Sequence, residues 1–294
     1  MSEASFNIRR DILMHEAQAI VHSLMQHSVC ILAPERREDE IIPQGSGTCV
    51  RIGDHFFIAT AAHVFRDLQH NEIYDDDLWI VHSQQPTLDR PAIIATGLEG
   101  GGNYDPVDVA WIELDHVTAN GMNKTFLTLD RIRSRVDHAG DDLIALNGYP
   151  GSFTLESDDG TVFAQSMSFV GGTIPPKDWP ESEFEDLHCI AEDYFLLAAF
   201  PPEGNYLVTG QHYQVPDPHG MSGGGLWQIP ANPTKPEEVW STKQARLVGI
   251  NLEWKQDNPW VVANQMQHWL QLVAEDFPDI TEEIEQHLAS PTSD

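Results

Sequence analysis

The stretch His219-Gly220-Met221-Ser222-Gly223-Gly224-Gly225 sets one serine among glycines and organises the interpretation of the whole chain. Glycine loses more backbone entropy on folding than any other residue, so this run predicts a tight, exposed turn. Such a turn presents the Ser222 hydroxyl outward while the amides of Gly220 and Ser222 converge where an oxyanion would form. Taken alone, the motif also suits a glycine-rich surface loop with an incidental serine.

Two further stretches favour the catalytic interpretation. Thr60-Ala61-Ala62-His63-Val64 follows an apolar, strand-like run, and small residues before the histidine let its ring face a hydroxyl on one side and a carboxylate on the other. Asp108-Val109-Ala110-Trp111 opens a second apolar strand with an acid. Singly, His63 is as well explained as a core histidine and Asp108 as a strand-edge cap. The chain order His, Asp, Ser with these flanks indicates nucleophilic catalysis.

With these flanks the chain resembles the chymotrypsin/trypsin-like serine proteases, and among them the bacterial HtrA-like or cytosolic trypsin-like peptidases. The resemblance covers roughly residues 30 to 255 and implies an all-β fold of two six-stranded antiparallel β-barrels, to which apolar periodicity adds N-terminal and C-terminal helices. The matching motifs are Gly45-Ser46-Gly47-Thr48, Thr60-Ala61-Ala62-His63, Asp108-Val109-Ala110, Gly220-Met221-Ser222-Gly223-Gly224 and Val248-Gly249-Ile250-Asn251.

Apolar periodicity predicts four segments. Residues 1–27 carry apolar positions at helical spacing and predict an amphipathic helix. Short β-rich runs predict a first barrel over 28–130, with His63 and Asp108, and a second over 131–256, with Ser222. Residues 257–294 are expected to form C-terminal helices, the first from Pro259 to Ala274. The active site is then expected in the cleft between the barrels.

Composition limits the partners. A chain of 294 residues with 41% hydrophobic content is long enough to bury a substantial core. Its formal charge of -30, from 46 acidic and 16 basic residues, argues against nucleic acid and anionic membranes as partners. Basic partners remain open, although a solvated acidic surface explains the charge equally simply.

Cysteine and histidine usage points to a cytoplasmic protein without metal or cofactor. The cysteines Cys30, Cys49 and Cys189 are odd in number, and Val64 stands where secreted relatives place a cysteine beside the histidine, so a disulfide framework is not expected. No secretory pattern and no run of transmembrane length occurs. The 14 histidines are scattered without metal-site spacing.

The resemblance implies a serine endopeptidase acting on a protein or peptide substrate. Ser222 would attack the peptide carbonyl, His63 would carry the proton, and Asp108 would orient the imidazole. The amides of Gly220 and Ser222 would form the oxyanion hole. Two alternatives stay open: a catalytically silent protein-binding module on the same fold, and an esterase using the same triad.

Substrate preference is read from the positions flanking the site. Trypsin-type relatives carry an acid six positions before the serine, but this chain has Pro216 there. The strand that ends in Trp254 should pair with the substrate backbone, and the bulky indole stands where open-pocket relatives carry glycine. This favours cleavage after Ala, Val or Leu, with Arg or Lys specificity through Asp217 as the alternative. The predicted substrate-binding residues are Pro216, Asp217, His219, Asn251, Leu252, Glu253 and Trp254.

Control by N-terminal cleavage is not expected. Zymogen-type relatives carry an aspartate just before the serine, which pairs with the newly cut N-terminus, and here that residue is Met221. Ordering of the pocket by substrate, by self-association or by a regulatory protein partner is the expected alternative.

Overall fold

The described residues form a mostly β-sheet fold with a few helices, at residues 23–25, at 116–121 and in the C-terminal region. The computed structural model describes residues 23–34, 41–65, 79–81, 93–95, 99–103, 107–136, 143–156, 162–179, 194–200, 203–205, 212–215, 217–229, 244–254 and 260–290. The predicted N-terminal helix falls almost entirely outside these ranges, as do the acidic segment 75–77 and the loop 230–238.

The first sheet has seven antiparallel strands in the order β5-β4-β1-β2-β3-β7-β6. β2 and β3 form a hairpin closed by Gly53 and Asp54, and Gly53 adopts a φ of 57° that glycine accepts without steric cost. The strands are β1 Ser28–Pro34, β2 Ile41–Ile52, β3 His55–Thr60, β4 Trp79–Val81, β5 Ile93–Ala95, β6 Glu99–Asn103 and β7 Val109–Leu114.

The second sheet also has seven antiparallel strands, in the order β11-β8-β16-β17-β18-β13-β12. Two separate hairpins, β9 with β10 and β14 with β15, accompany it. The strands are β8 Leu143–Gly148, β9 Thr154–Glu156, β10 Val162–Ala164, β11 Met167–Gly171, β12 Thr173–Ile174, β13 Phe195–Ala199, β14 Glu203–Asn205, β15 His212–Gln214, β16 Gly225–Ile229, β17 Arg246–Trp254 and β18 Trp260–Gln265.

The two edge strands of each sheet are neighbours in the sequence. β5 ends at Ala95 and β6 begins at Glu99, while Gly172 alone separates β11 from β12. In each sheet, one short stretch of chain therefore supplies the strands at both edges, which curls the sheet. β6 is glycine-rich because a Cβ at Gly101 would lie 2.7 Å from the Trp111 ring on β7. Apolar patterning does not predict this strand, since glycine is depleted in strands.

The C-terminal helices pack against the first sheet. The longer of the described helices are α1 His116–Gly121, α2 Met266–Asp276 and α3 Thr281–Ala289. Trp269 of α2 is fully buried, and its indole N–H donates to the carbonyl of Ala110 on β7 at 2.9 Å. The Trp111 indole donates to Asp276 at 2.7 Å. Since α2 follows β18 directly, it also links the two sheets.

The prediction of a helix that starts at Pro259 is wrong over its first part. Residues Trp260–Gln265 form β18, which lies between β17 and β13, and the helix begins only at Met266. All six residues of β18 are buried and its first four are apolar, so the strand lacks the alternation that marks a half-buried strand. Periodicity alone cannot separate such a run from a buried helix.

Candidate active site

Asp108 holds His63 at two points. His63 lies on a single 3-10 turn, Ala62–Phe65, just after β3, and Asp108 immediately precedes β7. Since β3 pairs with β7 at Thr60 and Ala110, the two side chains meet at one end of the sheet. His63 Nδ1 lies 2.7 Å from Asp108 Oδ2, and the His63 backbone N–H donates to Oδ1 at 2.9 Å.

This contact fixes both the ring orientation and the tautomer of His63. An ionised carboxylate only accepts, so Nδ1 carries the proton and Nε2 remains an acceptor. The carboxylate is 17% exposed and the imidazole 38% exposed, so the pair is sheltered on the Asp108 side and reachable on the other. Asn264, fully buried on β18, donates to the Asp108 carbonyl at 2.7 Å and holds that backbone from the second sheet.

The serine lies on a tight loop before β16, as the glycine run predicts. Gly220 and Gly223 adopt φ values of 91° and 81°, which L-residues with a side chain rarely accept. The loop is closed by hydrogen bonds from Met221 N to the Pro218 carbonyl at 2.8 Å and from Gly224 N to the Met221 carbonyl at 2.9 Å. Met221 is fully buried and anchors the loop to the second sheet's core.

Two amides of this loop point away from the packed interior. The His219 carbonyl accepts from Gly151 N at 2.7 Å, and the Met221 carbonyl accepts from Gly224 N. A trans peptide directs its N–H opposite to its C=O, so the amides of Gly220 and Ser222 face away from these anchors. Among the described residues, neither amide donates a hydrogen bond. The pair is available to a developing negative charge.

The Ser222 hydroxyl contacts β17. Ser222 Oγ donates to the Leu252 carbonyl at 3.0 Å, and the residue is half-buried. The structure therefore brings His63 to Asp108 and places Ser222 against the predicted substrate-binding strand.

Asn251 supports the serine loop through three hydrogen bonds. Its backbone N–H donates to the Gly224 carbonyl at 2.8 Å, its carbonyl accepts from Gly223 N at 2.7 Å, and its side chain donates to the Met221 carbonyl at 3.1 Å. Since Asn251 is only 2% exposed and makes these three bonds, it positions the loop. Its role in substrate binding stays a prediction.

The other predicted substrate-binding residues have mixed placements. Trp254 is half-buried and packs edge-on against Phe200, with ring centroids 6.5 Å apart. Glu253 and His219 are exposed, and Pro216 lies outside the described residues. Asp217 is exposed, and its carboxylate accepts from His219 N at 2.9 Å. This bond stabilises the turn that leads into the serine loop. This contact gives no support to the alternative preference for basic residues.

Neither described cysteine competes with Ser222 as a nucleophile. Cys30 and Cys49 are free, fully buried thiols. Burial raises the pKa of both thiols to about 12, so neither forms the thiolate that nucleophilic attack requires. Cys189 lies outside the described residues.

Sequence reasoning missed Asn264 and the role of Ser46. In the sequence Ser46 is marked only by its place in the motif Gly45-Ser46-Gly47-Thr48, yet it contacts the serine loop directly. The available signal was polarity in an apolar setting: Asn264 follows Trp260-Val261-Val262-Ala263, and a polar residue in such a run needs a buried partner.

Comparisons with known proteins add little to this geometry. No model of a protein family and no curated protein matches the sequence. A crystal structure of the serine endoprotease from Yersinia pestis is similar, with a TM-score of 0.49 and 13% sequence identity over 89% of this chain and 66% of that one. This chain thus spans less than two thirds of that protein. Because the similarity is low, the chemistry of the site has to carry the functional interpretation.

Two searches of the described residues bear on metals and membranes. No group of three or more His, Cys, Asp or Glu side chains in the described ranges is arranged to hold a metal ion. None of the described helices combines the length and apolarity that a membrane span requires.

Proposed function

We propose that this chain is a serine hydrolase, and specifically an endopeptidase with Ser222 as nucleophile. The observation that carries the proposal is the combination of an Asp108-bound His63 with two unpaired amides beside Ser222. Two neighbouring amide donors on one loop, neither with a partner in the described residues, suit a ligand with negative charge. The pairing of a base, its orienting acid and an oxyanion site defines acyl transfer.

The proposed reaction proceeds through an acyl-enzyme. Ser222 Oγ attacks the substrate carbonyl carbon, and its proton moves to Nε2 of His63. The Gly220 and Ser222 amides stabilise the oxyanion, and Asp108 stabilises the imidazolium. Collapse of the tetrahedral intermediate breaks the C–N bond, and His63 returns the proton to the leaving amine. Water then attacks the ester by the same route and regenerates Ser222.

The hydroxyl's contact with Leu252 defines a resting rotamer in this proposal. A rotation about the Ser222 side-chain torsion would break the 3.0 Å bond to the Leu252 carbonyl and turn the hydroxyl toward His63. The freed carbonyl would then accept a substrate backbone N–H. Substrate binding and nucleophile alignment are coupled in this way, which agrees with a pocket ordered by substrate.

The proposed architecture is a pair of barrels with the site between them. If β5 with β6, and β11 with β12, are each counted as one interrupted strand, the seven strands of each sheet become six. Their circular pairing is that of a closed barrel. Support for a shared site comes from Asn264, which reaches from the second sheet to the Asp108 carbonyl.

The proposed cleavage preference is for small or medium apolar residues. Trp254 lies two residues beyond Leu252 on β17, and its indole packs toward Phe200 among the second sheet's core residues. The indole N–H is buried and has no hydrogen-bond partner in the described part of the chain. Indole and phenyl rings at this position favour a shallow, apolar pocket over one for Arg or Lys.

Activation without N-terminal cleavage belongs to the same proposal. Met221 occupies a fully buried, apolar position, so packing holds the serine loop where zymogen-type relatives use an ion pair. A protease of the cytoplasm, which the cysteine usage favours, then needs another restraint, such as a regulatory protein. The charge of -30 supports a partner that is neither nucleic acid nor an anionic membrane.

The test compares the wild-type chain with Ser222→Ala, His63→Ala and the double variant on fluorogenic peptides and on simple p-nitrophenyl esters. Each single change is expected to lower kcat by on the order of 10⁴ to 10⁶, and the double change little further, because triad members act as one unit. Near-additive losses would refute the triad. Hydrolysis of esters with no peptide cleavage would assign an esterase, and a wild type inert to both would indicate the binding module.

A further inference from the structure

We propose that Ser46 is a positioning residue for the oxyanion site, an inference that rests on the proposed function. Ser46 lies on β2 of the first sheet and is fully buried. Its hydrogen-bond partners include the serine loop and Tyr149 of the second half and the segment that leads to His63. Its hydroxyl and backbone together connect the two halves of the site.

Ser46 donates hydrogen bonds to the carbonyls of Gly220 and Ser222, the two residues whose amides form the proposed oxyanion hole. Its hydroxyl donates to the Gly220 carbonyl at 2.8 Å, and its backbone N–H donates to the Ser222 carbonyl at 2.7 Å. The hydroxyl also accepts from Tyr149 N at 2.8 Å, so both hydrogen-bonding roles of the oxygen are filled. An oxygen held from two sides in this way has one orientation.

The Ser46 hydroxyl bond is one of two anchors on the peptide groups that flank Gly220. Gly220 adopts a φ of 91° and links two peptide groups. The peptide before it is anchored through the His219 carbonyl to Gly151 N, and the peptide after it is anchored through the Gly220 carbonyl to Ser46 Oγ. The Gly220 N–H belongs to the first of these peptides, so Gly151 holds its direction, and the Ser46 bond limits the rotations at Gly220 that would tilt it, since glycine has little intrinsic preference among these conformations.

The Ser46 carbonyl extends the connection to the general base. Thr60 Oγ1 donates to this carbonyl at 2.8 Å, and Thr60 precedes His63 by three residues at the end of β3. A Cβ at Gly223 would collide with Thr60 Oγ1 and the Ser46 carbonyl, so the loop packs directly on this contact. Ser46 thereby sets the serine loop at a defined position relative to the histidine turn.

Ser28 offers a matched control. It is also a fully buried serine of the first sheet, and its hydroxyl also bonds across to the second sheet, to the Asn147 side chain on β8. Its other contact is the Leu24 carbonyl at 3.1 Å, and the carbonyls of Gly220 and Ser222 are not among its partners in the described residues. Ser28→Ala therefore removes a buried, sheet-bridging hydroxyl without touching the oxyanion site.

The experiment measures kcat and KM on acetyl-alanine p-nitrophenyl ester, and the inhibition constant of a peptide aldehyde, for wild type, Ser46→Ala and Ser28→Ala. The aldehyde forms a tetrahedral adduct whose oxygen occupies the oxyanion site. KM on the ester combines binding with the ratio of the acylation and deacylation rates, so it stays nearly constant when a weakened oxyanion site slows both steps equally. Ser46→Ala is expected to lower kcat about 10- to 100-fold, less than loss of a direct oxyanion donor. The aldehyde should weaken by a similar factor, with KM within about 2-fold of wild type.

The controls separate this inference from the proposed function. Ser28→Ala should lower the melting temperature but keep wild-type kcat and aldehyde inhibition. A folded Ser46→Ala with wild-type values of both would overturn the inference while wild-type activity upholds the proposed function. A wild type inert to this ester and to the fluorogenic peptides would refute both. If Ser46→Ala does not fold, Ser46→Cys keeps the side-chain volume with a weaker donor, and wild-type kcat in that variant would equally contradict the role.

Discussion

Asp108 binds His63 through both carboxylate oxygens, one to the imidazole at 2.7 Å and the other to the backbone N–H at 2.9 Å. The second bond means that the side chain orients the turn that carries the histidine as well as the ring. An amide in this place keeps one acceptor oxygen but replaces the other with an N–H donor, which favours the wrong imidazole tautomer.

We therefore expect Asp108→Asn to lower kcat by on the order of 10⁴ while the protein stays folded. Steady-state kinetics and circular dichroism measure the two effects. Asp115→Asn is the control, because Asp115 is an exposed carboxylate that caps α1 and bonds only locally, to Val117 and Thr118. If Asp108→Asn retains wild-type kcat, the base is oriented by another group.

Gly220 is expected to tolerate no side chain. A Cβ there would lie 2.8 Å from the Tyr149 carbonyl oxygen and 2.9 Å from Gly151 N, on a residue whose φ of 91° already disfavours L-residues. Gly220→Ala should displace an oxyanion donor and lower kcat by about 10² to 10³. Gly172→Ala, at a position with open space around it, should keep wild-type kcat. Equal activity of the two variants would show that the Gly220 amide has no part in turnover.

Trp254 is expected to set the size of the accepted side chain. Trp254→Ala removes the indole that packs on Phe200, so substrates with Phe or Leu at the cleaved bond should gain relative to Ala. We expect the ratio of kcat/KM values for Phe over Ala substrates to rise about 10-fold or more. Trp179→Ala, which removes a half-buried indole from a different cluster, should leave that ratio unchanged. A dominant Arg or Lys preference in wild type would contradict the shallow pocket and return attention to Asp217.

His55 links the C-terminal helices to the first sheet and predicts a pH dependence of stability. Its imidazole lies between Glu113 on β7, at 2.6 Å, and Asp279 in the turn before α3, at 2.8 Å. Partial burial lowers the pKa of His55, but the hydrogen bonds and charges of Asp279 and Glu113 outweigh it and raise the pKa above its ordinary value. The folded protein therefore holds this proton more tightly than the unfolded chain.

The stabilisation from His55 is fully present below the unfolded-state pKa of about 6.5 and is lost as pH rises through the higher folded-state pKa. His55→Gln should flatten the decline of melting temperature across this window, measured by calorimetry between about pH 6 and pH 9. The control is His116→Gln, an exposed histidine whose contact is with the Phe56 ring. An unchanged slope in His55→Gln would exclude a role for this link.

The sequence predicts the all-β class and the three residues of the candidate triad because each is marked by local chemistry. Glycines mark the serine loop, and small residues precede the histidine. The same reasoning fails at β18 and β6, since an apolar run buried on both faces has no alternation, and a glycine-rich strand exists only because the Trp111 ring lies against it. The role of Asn251 was also hidden, because its three contacts with the serine loop arise only when β17 lies beside that loop.

The most direct test of the central claim is to treat the purified protein with a fluorophosphonate probe and to locate the adduct by mass spectrometry. Attack of the Ser222 hydroxyl on phosphorus expels fluoride and leaves a stable phosphonyl ester, so the probe reports the activated serine itself. The account predicts one adduct, on Ser222, formed much more slowly in His63→Ala and not at all in Ser222→Ala. No labelling of the folded wild type, or labelling at another serine, would contradict it.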